Sequence, residues 1–144
     1  MDHVHPRTLP QRGFTLLEIL VVLVILGLMA SLVGPQLFKQ LGGSKTKAAL
    51  LQIQELGAAL DLYRLELGRH PTTDEGLDAL INKPRNVENW NGPYLKKNVI
   101  RIDPWGNPYH YSAPGKNGEF DLWSLGADNS EGGDGENRDV HSWD

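Results

Sequence analysis

The chain contains no cysteine and only two methionines among its 144 residues. No disulfide can therefore staple the fold, and no thiolate is available as nucleophile or metal ligand. A small loop-rich domain without disulfides needs another fastener, such as a metal or a partner chain. Positive charge is also in short supply: 14 Lys and Arg against 18 Asp and Glu give a net charge of −4, which argues against a nucleic-acid binder. No G-x-S-x-G elbow, H-E-x-x-H pair or phosphate-binding glycine loop is present. The five histidines (His3, His5, His70, His110, His141) show no ligand spacing. Nothing here argues for an enzyme.

One long apolar run is present. Phe14 to Gly34 is 21 residues with one charge, Glu18. As a helix it spans roughly 30 Å, the hydrocarbon thickness of a bilayer. Three readings compete for it. A secretory signal peptide needs small residues at a cleavage site after the run, and "LMASLVG" supplies no A-x-A. A plain single-pass anchor is consistent with Arg7 and Arg12 before the run, which place residues 1–13 in the cytoplasm and the rest outside. Neither accounts for Glu18, a carboxylate that costs several kcal/mol in a membrane unless paired. Its alternative is to lie in the headgroup zone.

The third reading accounts for it. "RGFTLLEILVVLVILG" resembles the class III signal of type IV prepilins and pseudopilins. The resemblance implies a prepilin peptidase cut between Gly13 and Phe14, an N-methylated Phe14 and a retained apolar helix. It further implies that Glu18, then the fifth residue, meets the N-terminal amine of a neighbouring subunit and sets the register between helices.

Beyond Gly34-Pro35, which should kink or end the helix, Gly42-Gly43 should loosen it again. From Ser44 the pattern is amphipathic: Ile53, Leu56, Leu60, Tyr63 and Leu67 follow one helical face and should pack on the chain's own domain. Thr72 and Glu75 fit a capping box, which predicts a short helix over about 73–82, stopped by Pro84. "PYHYS" and "GEFDLWSL" read as two strands, with "APGKNG" as the hairpin turn. Trp90, Tyr94 and Trp105 read as a cover for the core, with a sugar-binding platform as the alternative.

Residues 119–144 carry eight acids and one arginine. Such a block is a solvated tail or a cation site. Asp128 and Asp139 stand at the first and twelfth places of a calcium-like loop, with glycines at 132, 133 and 135. Gly132 at its fifth place, Asp rather than Glu at the twelfth and the lack of flanking helices reject an EF-hand. Val140 and Trp143 look like anchors that would pin the segment.

"DPWGNPY" and "FDLWSLGAD…EGG" extend the resemblance to the major pseudopilins, the G subunits, of bacterial type II secretion, from Arg12 to Trp143. The resemblance implies an α+β pilin-like fold. A long N-terminal helix, transmembrane in its first half, packs on a short helix and a small antiparallel sheet with a C-terminal calcium loop. It implies calcium held by the Leu125 carbonyl, Asp128 and Asp139, with Asp134 the first choice among the middle ligands. The organisation it implies is a cleaved cytoplasmic leader over 1–13, a transmembrane and assembly helix over 14–43, and a periplasmic domain over 44–144. The implied partners are further copies of the chain, minor pseudopilins, the prepilin peptidase, the inner membrane and the assembly platform in it. The implied function is a fibre subunit that helps drive folded exoproteins through an outer-membrane secretin. A type IV pilin or competence pseudopilin, and a membrane-anchored calcium-dependent carbohydrate-binding domain, stand as alternatives.

Overall fold

The computed structural model describes residues 13–144; the leader expected before them, with Arg7, Arg12, His3 and His5, lies outside the described residues. One helix, α1, runs Leu16–Leu67 and contributes to two units, one up to Phe38 and one from Lys39 to Asp144. Among the described residues of the first unit every large apolar side chain is exposed, from Leu16 at 92% to Ile19 at 47%. This segment is long and apolar enough to cross a membrane, and none of it is buried by the chain itself.

The helix does not end at either expected weak point: α1 is continuous through Gly34-Pro35 and Gly42-Gly43. Proline removes one backbone donor and crowds the preceding turn. Near it the Ser31 hydroxyl donates to the Leu28 carbonyl at 2.7 Å. Gly42 has a packing reason to be glycine. It is buried, and a β-carbon there would stand 2.6 Å from Cγ of Glu136. Gly43 meets nothing.

In the second unit the sequence-predicted stripe is the core. Ala49, Ile53, Leu56, Leu60 and Tyr63 of α1 are buried with Leu77, Ala79, Leu80, Tyr109, Leu122 and Val140. Burying each leucine-sized side chain contributes about 1.5–3 kcal/mol. The helix ends at Gly68, whose φ of +77° lets its N–H return to the Arg64 carbonyl at 2.7 Å.

The helix expected over 73–82 is instead a turn followed by a 3₁₀ turn, Leu77–Leu80. The capping box itself forms: the Thr72 N–H donates to the Glu75 carboxylate at 2.8 Å, and the Glu75 N–H to the Thr72 hydroxyl at 3.2 Å. Gly76 follows with φ +62°, outside the helical region, and resets the chain.

The sheet has order β1-β2-β3: β1 His110–Ser112, β2 Asp121–Ser124 and β3 Val140–His141. Both pairings are antiparallel, with Tyr111 opposite Leu122 and Ser124 opposite Val140. The hairpin is as expected from sequence; β3 is an addition. Leu122 and Ser124 are fully buried, and Asp121 is buried too, so burial does not alternate strictly along β2. Its carboxylate accepts the Lys116 N–H at 2.8 Å and the Asn117 N–H at 3.1 Å, which closes the hairpin turn. Trp90, Tyr94 and Trp105 pack on the core cluster, in keeping with a cover. Trp90 donates its indole N–H to the Ala79 carbonyl at 2.8 Å.

Candidate functional site

Two separate groups of residues carry the chemistry expected from sequence, one in each unit. The first lies at the start of α1. Gly13 and Phe14 precede the helix, exposed, with Phe14 at 84%. Thr15 caps it. The Thr15 N–H donates to Glu18 Oε2 at 2.9 Å, and the Glu18 N–H donates to the Thr15 hydroxyl at 3.2 Å. This is a reciprocal capping box, and it satisfies two of the donors a helix start leaves free. Glu18 thus has a partner within its own chain, at the helix end where a negative charge is favoured. The T-x-x-E spacing at 15–18 is a legible signal for this, and the sequence reading passes over it in favour of intersubunit pairing. The side chain of Glu18 remains exposed, which leaves it accessible to a second cation.

The second group is the C-terminal loop. Leu125 and Asp139 line one shallow cleft together with Asp121, Glu131, His141 and Trp143. Asp128 and Asp134 lie on the exposed arc of the loop, outside that lining. Asp128 Oδ1 accepts the Ser130 N–H at 3.2 Å, and the Asp134 carbonyl accepts the Asn137 N–H at 3.1 Å. Leu125 and Asp139 therefore share one cleft lining, and Asp128 and Asp134 are not part of it. Glu131, which the sequence reading does not select, joins the pair. Among the described residues no three His, Asp or Glu side chains converge as a metal cluster.

Asp139 tests whether a cation suits the loop. Its Oδ2 accepts the Gly132 N–H at 2.9 Å, while its Oδ1 is buried with no hydrogen-bond donor. A buried acceptor without a donor costs about 1–3 kcal/mol, more when charged. A hard cation with oxygen ligands would remove that cost, so this one atom suits calcium. Val140 anchors the loop end at 3% exposure; Trp143 does so less, at 41%, stacking on the His141 ring at 4.4 Å.

The mouth of the loop is tied shut. The Ala127 N–H donates to the Glu136 carbonyl at 2.8 Å. Gly126, at φ +67°, leaves no room for a β-carbon, which would meet the Asn137 and Glu136 backbone at 2.8 Å. Glu136 in turn reaches α1: its side chain fills the space over Gly42, with Lys45 Nζ 3.7 Å from its carboxylate.

The comparisons with known proteins agree with this division. Residues 36–143 match the family model described as type II secretion system protein G, and residues 9–34 match the prokaryotic N-terminal methylation motif. The type II secretion system core protein G of Pseudomonas aeruginosa is 49% identical, over 93% of this chain and 96% of its own length. That of Vibrio cholerae is 48% identical, over 92% of each. A solved structure, the major pseudopilin of the type 2 secretion system of enterohaemorrhagic Escherichia coli, superposes with a TM-score of 0.59 at 30% identity. It covers 70% of this chain and 88% of that one.

Proposed function

The chain belongs to the type II secretion system protein G family, whose members are structural subunits of the pseudopilus, and on that premise we propose how its parts serve assembly. The chain is a membrane-anchored pseudopilin. The prepilin peptidase cuts between Gly13 and Phe14 on the cytoplasmic side. Residues 14–43 then span the inner membrane and later bundle with the helices of other copies, and residues 44–144 form the periplasmic domain. Minor pseudopilins and the inner-membrane assembly platform are the further partners. Growth of the fibre helps push folded exoproteins through the outer-membrane secretin.

The observation that carries this reading is the bare apolar surface of α1 up to Phe38, with Glu18 in its first turn. A surface this apolar needs lipid or other helices around it. Glu18 rests on its own cap until a neighbour's N-terminal amine offers a stronger partner, since two full charges attract more strongly in low dielectric than a carboxylate and a backbone N–H. The test is an intact mass of the membrane-extracted protein with and without the peptidase, followed by secretion in a strain carrying Glu18→Ala. Loss of Met1–Gly13, gain of one methyl group and loss of secretion by a stably anchored Glu18→Ala protein are expected. A chain that stays full length beside an active peptidase, or Glu18→Ala secreting at the parent level, refutes it.

We further propose that the C-terminal loop binds calcium through Asp139 and the Leu125 carbonyl, with Asp128 and Asp134 supplied by the exposed arc. The donorless Oδ1 of Asp139 supports this. Bound there, calcium supplies a cross-link between loop segments in a chain that cannot make a disulfide. The residues themselves prepare for it: Gly132 holds Asp139, and the Ala127–Glu136 bond closes the loop.

A further inference from the structure

Well before the acidic loop in the chain, a buried carboxylate takes part in its geometry. Asp103 is 3% exposed. Its Oδ1 accepts the N–H groups of Trp105 at 3.0 Å and Asn107 at 2.8 Å, which closes the turn "DPWGN" on itself. Its Oδ2 accepts the hydroxyl of Ser124 at 2.6 Å. Ser124 is fully buried, and its oxygen accepts the N–H of Gly126 at 3.2 Å. The same turn makes a second connection, from Asn107 Nδ2 to the Gly126 carbonyl at 3.0 Å.

These bonds bracket Leu125. The Gly126 N–H and the Leu125 carbonyl belong to one planar trans peptide, in which N–H and C=O point in opposite directions. Fixing the N–H on Ser124 therefore fixes the carbonyl, turned away from the buried Ser124–Asp103 pair. The next peptide is fixed through the Gly126 carbonyl on Asn107. On the other side, Ser124 is held in β2 opposite Val140, the residue after Asp139. A carbonyl ligand has no rotamers; its direction is set only by its peptide plane. Whatever holds that plane decides whether the oxygen is available to a cation.

We propose that Asp103, Ser124 and Asn107 are positioning residues for the calcium loop, orienting the Leu125 carbonyl through the Leu125–Gly126 peptide. The proposal rests on the calcium reading above. It adds that the ligand geometry is set from a separate turn, "DPWGN", rather than within the acidic segment. Partners one shell removed from a metal typically change its affinity about 10- to 100-fold when lost.

The test uses the full chain in detergent and titrates calcium chloride by calorimetry. Ser124→Ala removes the link between Asp103 and Gly126, and Asn107→Ala removes the second tether alone. Leu80→Ala, a fully buried core residue in a different part of the unit, serves as the stability control. The expected result is calcium dissociation about tenfold weaker or more in Ser124→Ala and Asn107→Ala. Leu80→Ala should lower the calcium-free melting temperature while its dissociation constant stays within about twofold of the parent. Should Ser124→Ala fail to fold, Asn107→Ala decides alone. Parent-like affinity in the Asn107 and Ser124 variants, or an equal loss in Leu80→Ala, overturns the positioning role. A parent chain that takes up no calcium instead removes the calcium reading, and this inference with it.

Discussion

At Glu75 a carboxylate is held from two directions. Arg69 donates to both of its oxygens, at 2.7 and 2.8 Å, and the Thr72 N–H adds a third bond at 2.8 Å. The Arg69 guanidinium, foremost, holds the carboxyl below the usual carboxylate range; partial burial opposes this, and Thr72 adds to it. A depressed folded pKa contributes stability that is present above the ordinary glutamate value and is lost as pH falls through the folded one. Arg69 is nearly half exposed, so screening limits the pair to about 1 kcal/mol. Glu75→Gln should therefore melt a few degrees lower at pH 7 and converge with the parent as pH falls below the usual carboxylate range. A melting series across that range checks it; a constant gap between the two proteins would count against the ion pair.

Glu18 shows what a single position reveals in sequence and what it hides. Its cost in an apolar run is legible, and so is the spacing to Thr15. The same spacing at Thr72 and Glu75 also bonds reciprocally yet caps only a turn, so the spacing announces the box and not the element that follows it. Glu131 was hidden for a different reason. Within "DNSEGGDGEN" the acids are equivalent on paper, and only the path of the loop decides which of them lines the same cleft as Asp139.

Among elements, α1 separates propensity from packing. Its amphipathic stripe over 53–67 reads directly from the 3-4 spacing, because burial repeats with the helical period. The breaks expected at 35 and 42–43 rest on propensity, about 1 kcal/mol per glycine, which a neighbouring contact can offset. Adjacent glycines supply the test. Gly43 is exposed with open space around it, so Gly43→Ala should stabilise by about 0.5–1 kcal/mol. Gly42→Ala should gain nothing or destabilise, because the new methyl group meets Glu136 Cγ. Adding Glu136→Ala should restore the gain. A double-mutant cycle in denaturant measures the coupling; purely additive effects would mean that Glu136 does not rest on Gly42. The element at 73–82 fails in sequence because a capping box announces where a helix starts, while Gly76 decides whether it continues.

For the whole molecule, the α+β class and the hairpin are legible because alternation and turn chemistry are local. β3 is two residues long and paired across more than fifteen positions of chain, too short to leave a pattern. The closed C-terminal loop is likewise a long-range arrangement: it depends on Gly126 lying against Asn137. Two measurements act at this scale. Leu122→Ala, at the centre of the sheet and fully buried, should destabilise the domain by about 2–5 kcal/mol in denaturant unfolding. Calcium at about a hundred times its dissociation constant should raise stability by about 2.7 kcal/mol, and chelation should reverse this. Chelation should also expose residues 126–139 to proteolysis, and Asp139→Ala should reproduce both effects. Identical melting and cleavage with and without calcium would leave the loop a purely polypeptide structure.

The three strands of the sheet hold three, four and two residues, and the two shortest are its edges. An edge strand is where identical chains at high local density stick to one another wrongly, by extending each other's hydrogen-bond ladders. Here each edge offers at most a couple of free rungs. Copies crowded side by side have almost no route into an amyloid-like stack. On the proposed function, recognition between copies is then left to their helices rather than to their sheets.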